Sequence, residues 1–218
     1  MTLQEAEKLF EDFFRNKPKI KKFIDNTHRQ LEKDGYVDTL QGFRRDLKEI
    51  YSQDRSKQNE SKRMSVNTKI QGSGAFLTNN SVIYLHQWLE ENNMRSKIVL
   101  TVHDSIVIDC PPEEIITVSK VAKYIMENLP IDWLFIDWKG ERMRYPIEAD
   151  IEVGINYNDM VDFESEDFAT FNSVEGYCKY YLDLKKVQDY KDAKFIEEDK
   201  AEEMTKAIEN KKYIYQQQ

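Results

Sequence analysis

The stretch Ile98-Val99-Leu100-Thr101-Val102-His103-Asp104-Ser105-Ile106-Val107-Ile108 consists of two β-branched apolar runs broken only by a polar pair. Such runs predict two strands of a buried hairpin over residues 97–109, with His103 and Asp104 at its tip. A carboxylate fixed on a rigid turn, with an imidazole beside it, suits the gripping of a divalent cation against a phosphate-bearing substrate. Asp is equally a common turn residue, because its side chain bonds the local backbone. Spacing alone does not separate the two roles.

Upstream of this hairpin a long helical pattern runs from about Ser61 to Asn92, interrupted near Gly72 and Gly74. Each mid-helix glycine costs about 1 kcal/mol relative to alanine, so the two together predict a bend or a close approach by another backbone. Arg63, Asn67 and Gln71 fall at i, i+4 and i+8 and project from one face. That row is either a polar solvent face or a set of aligned hydrogen-bond donors. The minor groove of DNA presents acceptors at nearly equivalent places in every base pair, so fixed amides flanked by a cation could test pair geometry without reading identity.

Nearer the start, Ala6, Phe10, Phe13 and Phe14 make an apolar stripe on a core-facing helix over residues 3–15. Asn16 as cap and Pro18 in the first turn begin a second helix that carries Ile20, Phe23, Ile24, Thr27 and Leu31 and ends at Gly35. Tyr36 to Asp54 is mixed, and Asp54 to Glu60 reads as a polar loop. After the hairpin, Pro111-Pro112 precede a helix with Val118, Val121, Ala122, Ile125 and Leu129 as its buried stripe. Ile131 to Tyr145 predicts a further hairpin around Lys139-Gly140, followed by a strand at 147–153. Residues 161–218 are helical in character and acid-rich. They could be a phage-style extension, a contact surface for another chain or, as the default, a solvated appendage.

A chain of 218 residues can form one substantial core or two small ones. No apolar run approaches the roughly 20 residues needed to cross a bilayer, and Met1-Thr2-Leu3-Gln4-Glu5 lacks the basic and apolar regions of a signal peptide. Cys110 and Cys178 have no metal-ligand spacing, which favours a reducing cytosol. The net charge of −8 is unevenly placed: residues 15–69 hold 15 Lys and Arg against 8 Asp and Glu, whereas residues 158–218 hold 9 against 15. The whole-chain figure therefore hides a basic segment, which is compatible with nucleic acid and is also a common solvated surface.

Four segments, in order, resemble the C-terminal part of a family A DNA polymerase, the bacterial DNA polymerase I type with a phage-like character. Gly35-Tyr36-Val37-Asp38-Thr39-Leu40-Gln41-Gly42-Phe43-Arg44-Arg45 is similar to the family's G-Y-V-x-T-x-x-G-R-R-R segment, with Phe43 in place of one Arg. Arg63-Met64-Ser65-Val66-Asn67-Thr68-Lys69-Ile70-Gln71-Gly72-Ser73-Gly74-Ala75 resembles its R-x-x-x-N-x-x-x-Q-G-[TS]-x-A helix. Val102-His103-Asp104-Ser105 resembles the V-H-D-E hairpin, motif C, with Ser105 where the family commonly has Glu. Pro146-Ile147-Glu148-Ala149-Asp150-Ile151-Glu152-Val153-Gly154 looks like the last palm strand.

The resemblance implies a mixed α/β (α+β) fold: part of the helical fingers in residues 1–55, the C-terminal palm with antiparallel strands in 56–160, and an acidic extension in 161–218. It implies DNA-directed DNA polymerase activity, that is, template-directed nucleotidyl transfer in DNA replication. Such transfer uses two Mg²⁺ ions about 3.5 to 4 Å apart held by two aspartates, of which Asp104 resembles one. Asp109 and Asp150 are alternative carboxylates. By the same resemblance Asn67, Gln71 and His103 contact the primer-template near the primer end, Arg63 helps hold the duplex, and Arg44 and Arg45 lie close to the template strand. His103 and Asp104 are the expected catalytic pair.

The family's other aspartate lies in a D-[YF]-S-x-I-E-x-R segment, and its nucleotide-binding finger helix reads R-x-x-x-K-x-x-x-x-x-x-Y-G. Neither pattern occurs here; Arg44 and Lys48 share the R-x-x-x-K spacing, but no Tyr-Gly follows at the required place. By the resemblance Met1 stands about where the polypeptide emerges from that finger helix. The expectation is the C-terminal piece of a split polymerase, acting on primer-template DNA and dNTP beside an upstream polymerase chain or exon product. No membrane partner is expected, and the compartment would be the cytoplasm, of a bacterial host if phage-encoded. A reading from another class is a noncatalytic duplex-binding or assembly module that keeps the polymerase fold.

Overall fold

A computed structural model describes residues 2–218; Met1, at which the resemblance has the chain emerge from the finger helix, lies outside them. Helix α1 (Leu3–Asn16) opens on a capping box in which the Thr2 hydroxyl accepts from the Glu5 amide at 3.3 Å and the Glu5 carboxylate accepts from the Thr2 amide at 2.7 Å. Helix α2 (Pro18–Asp34) has the expected first-turn proline and ends at Gly35 in the left-handed conformation, φ 71°. Its N-cap is Lys17, without a side-chain bond, and not the expected Asn16.

Strand β1 (Tyr36–Asp38) pairs antiparallel with β2 (Arg44–Asp46), with Tyr36 opposite Asp46 and Asp38 opposite Arg44. Helix α3 (Arg55–Glu91) follows. Strands β3 (Lys97–Val102) and β4 (Ser105–Asp109) form the expected hairpin, and α4 (Ile115–Glu127) buries Ile115, Val118 and Ala122. A second hairpin, β5 (Phe135–Trp138) and β6 (Glu141–Arg144), turns on Lys139 and Gly140, both at positive φ, 53° and 88°. Two consecutive left-handed residues in a two-residue loop match the twist of the flanking strands. Strand β7 (Glu152–Gly154) pairs antiparallel with β8 (Met160–Asp162). The chain ends in α5 (Ser165–Phe168), α6 (Val174–Asp192), α7 (Glu198–Glu209) and α8 (Lys212–Gln216). Helices with small strand pairs make the fold the mixed type that the resemblance implies.

The chain divides into two compact units. One takes in the chain up to Asn80 with Thr101–Ile106 and Ile131–Arg142; its core is Leu31, Val37, Leu47 and Ile50, with Met64 packed against them. The other takes in Ser81–Leu100, Val107–Pro130 and Met143–Gln218. Its core gathers Ile115, Val153, Val161, Phe171, Val174, Tyr177, Cys178 and Tyr180.

Several expectations are corrected. The β3–β4 hairpin is not buried as a whole: Val99 and Leu100 are exposed, by 58% and 50%, and Ile98, Val102, Ile106, Val107 and Ile108 are half-buried, with β3 and β4 pairing only with each other among the described residues. The α1 stripe does not face a core: Phe10 and Phe13 are exposed. Asp54 to Glu60 is not a loop. Asp54 accepts from the Ser56 amide at 2.8 Å and starts α3, whose straight-chain Arg, Lys, Gln and Glu lose little rotamer freedom in a helix.

Helix α3 is uninterrupted at Gly72 and Gly74; what approaches Gly72 is the Thr39 side chain, not another backbone. The strand expected at 147–153 is confined to Glu152–Gly154. Residues 161–218 are helical but not a solvated appendage. Tyr177 of α6 is fully buried in a cluster of Phe163, Phe168, Phe171, Tyr180 and Tyr181, and its hydroxyl donates to the Asp162 carbonyl and accepts from the Glu164 amide. Asp167 accepts from both the Tyr181 hydroxyl and the Lys212 ammonium at 2.5 Å, and burial together with that carboxylate pushes Tyr181 well above the usual phenol range. No helix is long and apolar enough to cross a membrane among the described residues.

Candidate active site and nucleic-acid interface

Two residues separate β3 from β4, and they are His103 and Asp104. His103 has φ 55°, a left-handed conformation uncommon for a residue with a Cβ. The Ser105 hydroxyl donates to the Val102 carbonyl at 2.8 Å and closes the turn. Both His103 and Asp104 are exposed. A hard carboxylate oxygen on a stiff turn fits the donor chemistry of Mg²⁺, but one carboxylate cannot enclose an ion. No group of three His, Cys, Asp or Glu side chains that could hold a metal occurs among the described residues. Asp109 at the end of β4 and Asp150 before β7 are exposed and join no such group.

The base of the hairpin is held by Glu114. Its carboxylate accepts from the Arg95 and Ser96 amides, both at 2.9 Å, and from the Ser96 hydroxyl at 2.6 Å. These bonds, the Ser96 hydroxyl foremost, hold the Glu114 carboxyl below the usual range. The same hydroxyl lies 3.2 Å from Cys110 Sγ, whose thiol burial pushes up. The segment before β3 is therefore tied to the segment after β4 through one carboxylate.

On α3, Arg63, Asn67 and Gln71 are all exposed, whereas Ser61, Ser65, Thr68 and Ser73 are buried. The helix thus turns a face of small hydroxyls inward and a face of long donors outward. Small side chains permit close approach, and their hydroxyls bond back to the helix: Ser65 to Lys62 O, Thr68 to Met64 O, Ser73 to Lys69 O, each at 2.7 Å.

Arg44 projects from β2 with its guanidinium 3.6 Å from the Tyr36 ring centroid and its Nε 3.0 Å from Asp38. The hydrogen bond to Asp38 moves Arg44 further toward its charged form. Arg45 turns the other way: its Nη1 donates to Thr68 Oγ1 at 3.2 Å, tying β2 to α3. Arg44, Arg45, Arg63, Asn67, Gln71, His103 and Asp104 all belong to the first compact unit.

Sequence reasoning passed over Thr39, Gln41 and Ser73, which seat the β1–β2 turn on α3, and over Glu114. The signal for the first group was the run Tyr36-Val37-Asp38-Thr39 with Gly42, a short strand and turn next to two arginines. Glu114 carried no signal, because one acidic residue after a Pro-Pro pair looks like a solvated helix start.

Residues 1–159 match the model of DNA polymerase family A. A DNA polymerase of Bacillus phage SP01 is 39% identical over 199 residues, 91% of this chain and 21% of that protein. DNA polymerase I of Caldicellulosiruptor bescii is 32% identical over 154 residues, 71% of this chain and 17% of that protein. The chain therefore spans about a fifth of these relatives. The phage match must run well past residue 159 to reach 199 residues, so part of the C-terminal segment is shared with a phage polymerase. The polymerase domain of Pol1 from M. smegmatis, solved in complex with DNA primer-template and dNTP, superposes with a TM-score of 0.57 at 28% identity, covering 61% of this chain and 24% of that one. With the family match covering residues 1–159 and these relatives alongside it, the chain belongs to DNA polymerase family A.

Proposed function

We propose that the chain is the motif C portion of a DNA-directed DNA polymerase. In this reading residues 1–55 contribute part of the fingers, 56–160 the C-terminal palm and 161–218 an extension of the phage type. The observation that supports it is the presence in one compact unit of an exposed donor row, Arg63, Asn67 and Gln71, and an exposed carboxylate on a two-residue turn, Asp104.

Nucleotidyl transfer asks a protein mainly for in-line positioning and for neutralisation of charge on the triphosphate and the attacking hydroxyl. Asp104 would hold Mg²⁺, which supplies that neutralisation when bound. Asn67 and Gln71 donate to minor-groove acceptors common to all base pairs and so hold the primer end without reading sequence. His103 lies beside them on the primer strand, Arg63 holds the duplex, and Arg44, levelled on Tyr36 and oriented by Asp38, faces template phosphate. Arg45 stiffens that contact from behind. The second metal-binding aspartate and the dNTP-binding finger helix come from sequence outside these 218 residues, on an upstream chain or an exon product.

The test is primer extension by the chain reconstituted with a polymerase segment bearing both missing motifs. Incorporation that needs both components supports the reading. Duplex binding with no incorporation in the reconstituted mixture would instead favour a noncatalytic DNA-binding module.

A further inference from the structure

We infer that Gly72 and the Thr39–Gly42 turn form a positioning clasp: the β1–β2 hairpin is seated on α3 through a gap that only glycine leaves, and this fixes Asn67, Gln71 and Arg44 in one frame against DNA. The inference rests on the proposed role of α3 in gripping the duplex.

A Cβ at position 72 would lie 2.8 Å from Thr39 Cγ2, closer than real methyl contacts come. Through that gap the Gln41 amide donates to the Gly72 carbonyl at 3.0 Å, and the Leu40 amide donates to Ser73 Oγ at 3.1 Å. The turn is stiff in itself, because Thr39 Oγ1 accepts from the Phe43 amide at 3.0 Å and the Thr39 amide donates to the Phe43 carbonyl at 2.9 Å. One turn of helix away, Arg45 donates to Thr68. Bonds at 68, 72 and 73 thus clamp the inner side of the two helical turns whose outer side carries Asn67 and Gln71.

Stability alone does not account for the arrangement. Glycine is a poor helix former, and Gln41 Oε1 is buried without a hydrogen-bond partner among the described residues. Gly74, two residues on, supplies the comparison: a Cβ there meets nothing within 4 Å.

The experiment uses the full chain with Gly72→Ala, Gly74→Ala, Gln71→Ala and the double variant Thr39→Ser/Gly72→Ala. Thr39→Ser deletes only the methyl that a residue 72 side chain would strike and keeps the hydroxyl. Exchange of the Leu40 amide is followed by NMR, binding of a primer-template duplex by fluorescence anisotropy, and unfolding by circular dichroism. Gly72→Ala is expected to speed Leu40 exchange and weaken duplex binding, each about tenfold, with no fall in melting temperature because alanine favours the helix. Gly74→Ala is expected to change neither, and the double variant to restore both to within about twofold.

Unchanged Leu40 exchange in Gly72→Ala, or no rescue by Thr39→Ser, overturns the clasp. Faster exchange with normal duplex binding, while Gln71→Ala weakens binding, removes its positioning role and leaves the proposed function standing. A duplex that the wild-type chain does not bind, or that Gln71→Ala binds as well as wild type, overturns the role of α3 and the inference with it.

Discussion

Tyr177→Phe probes whether residues 161–218 are built into the fold. The ring is fully buried and stacks edge-on against Phe168 and Phe171 at centroid distances of 5.1 and 5.2 Å, contacts that phenylalanine keeps. Only the hydroxyl is lost. It donates to the Asp162 carbonyl at 2.9 Å and accepts from the Glu164 amide at 3.0 Å, so its removal strands a backbone acceptor at the end of β8 and a backbone donor just before α5. Each unpaired group costs about 1–3 kcal/mol, and partial access to water for the exposed residues Asp162 and Glu164 puts the sum near the lower end, about 2–4 kcal/mol. The assay is urea denaturation followed by far-ultraviolet circular dichroism, in the transition that carries α6, with Tyr190→Phe as control. Tyr190 is 48% exposed, so its variant is expected within about 0.5 kcal/mol of wild type. A Tyr177→Phe loss no larger than the control's would refute the packed-extension reasoning.

Gln71→Ala and Asn67→Ala in the reconstituted enzyme are each expected to slow extension by an amount equivalent to ~1–3 kcal/mol, alike on four primers that differ only in the terminal pair. A loss confined to one pair in single-turnover extension would mean that the row reads sequence. The purified chain alone is expected not to extend a primer, since one carboxylate cannot hold two metals, and the unpaired outer edges of Lys97–Val102 and Ser105–Asp109, with Val99 and Leu100 exposed, should make it self-associate until a complementing segment is added; light scattering and a primer-extension gel check both. The Glu114 clamp should loosen in acid. Its folded carboxyl titrates below the ordinary 4.5, so its contribution is full above that value and is lost as pH falls through the lower folded value. Protection of the Ser96 amide should therefore decline below about pH 4.5, and Glu114→Gln should remove that dependence; a Ser96 amide indifferent to pH would contradict it.

The elements most legible in the sequence were those whose signals are local. His103-Asp104 and Lys139-Gly140 each sit between two strand-forming runs, and a two-residue polar break leaves few alternatives to a hairpin. Pro18 and Gly35 bounded α2 because each fixes a backbone angle. The face shared by Arg63, Asn67 and Gln71 followed from helical spacing alone. What was not legible depended on partners. Ile98 to Ile108 reads as buried on composition, yet two strands that pair only with each other leave Val99 and Leu100 exposed and the other apolar residues only half-buried. Arg55 to Glu60 has no apolar stripe, and only its propensity and the Asp54 cap mark it as helix. The acidity of residues 161–218 concealed an aromatic core, because Phe163, Phe168, Phe171, Tyr177 and Tyr181 are spread through charged surroundings and meet only when α6 folds back on β7 and β8.

The measurement closest to the central claim is Mg²⁺-dependent primer extension by the chain reconstituted with a segment carrying the second aspartate and the finger helix, comparing wild type with Asp104→Ala. Asp104 is exposed on its turn and makes no duplex contact in the proposed arrangement, so the variant is expected to bind primer-template as wild type does while incorporation is abolished. Incorporation by Asp104→Ala at the wild-type rate would contradict the assignment of the motif C turn as a metal-binding element of a polymerase.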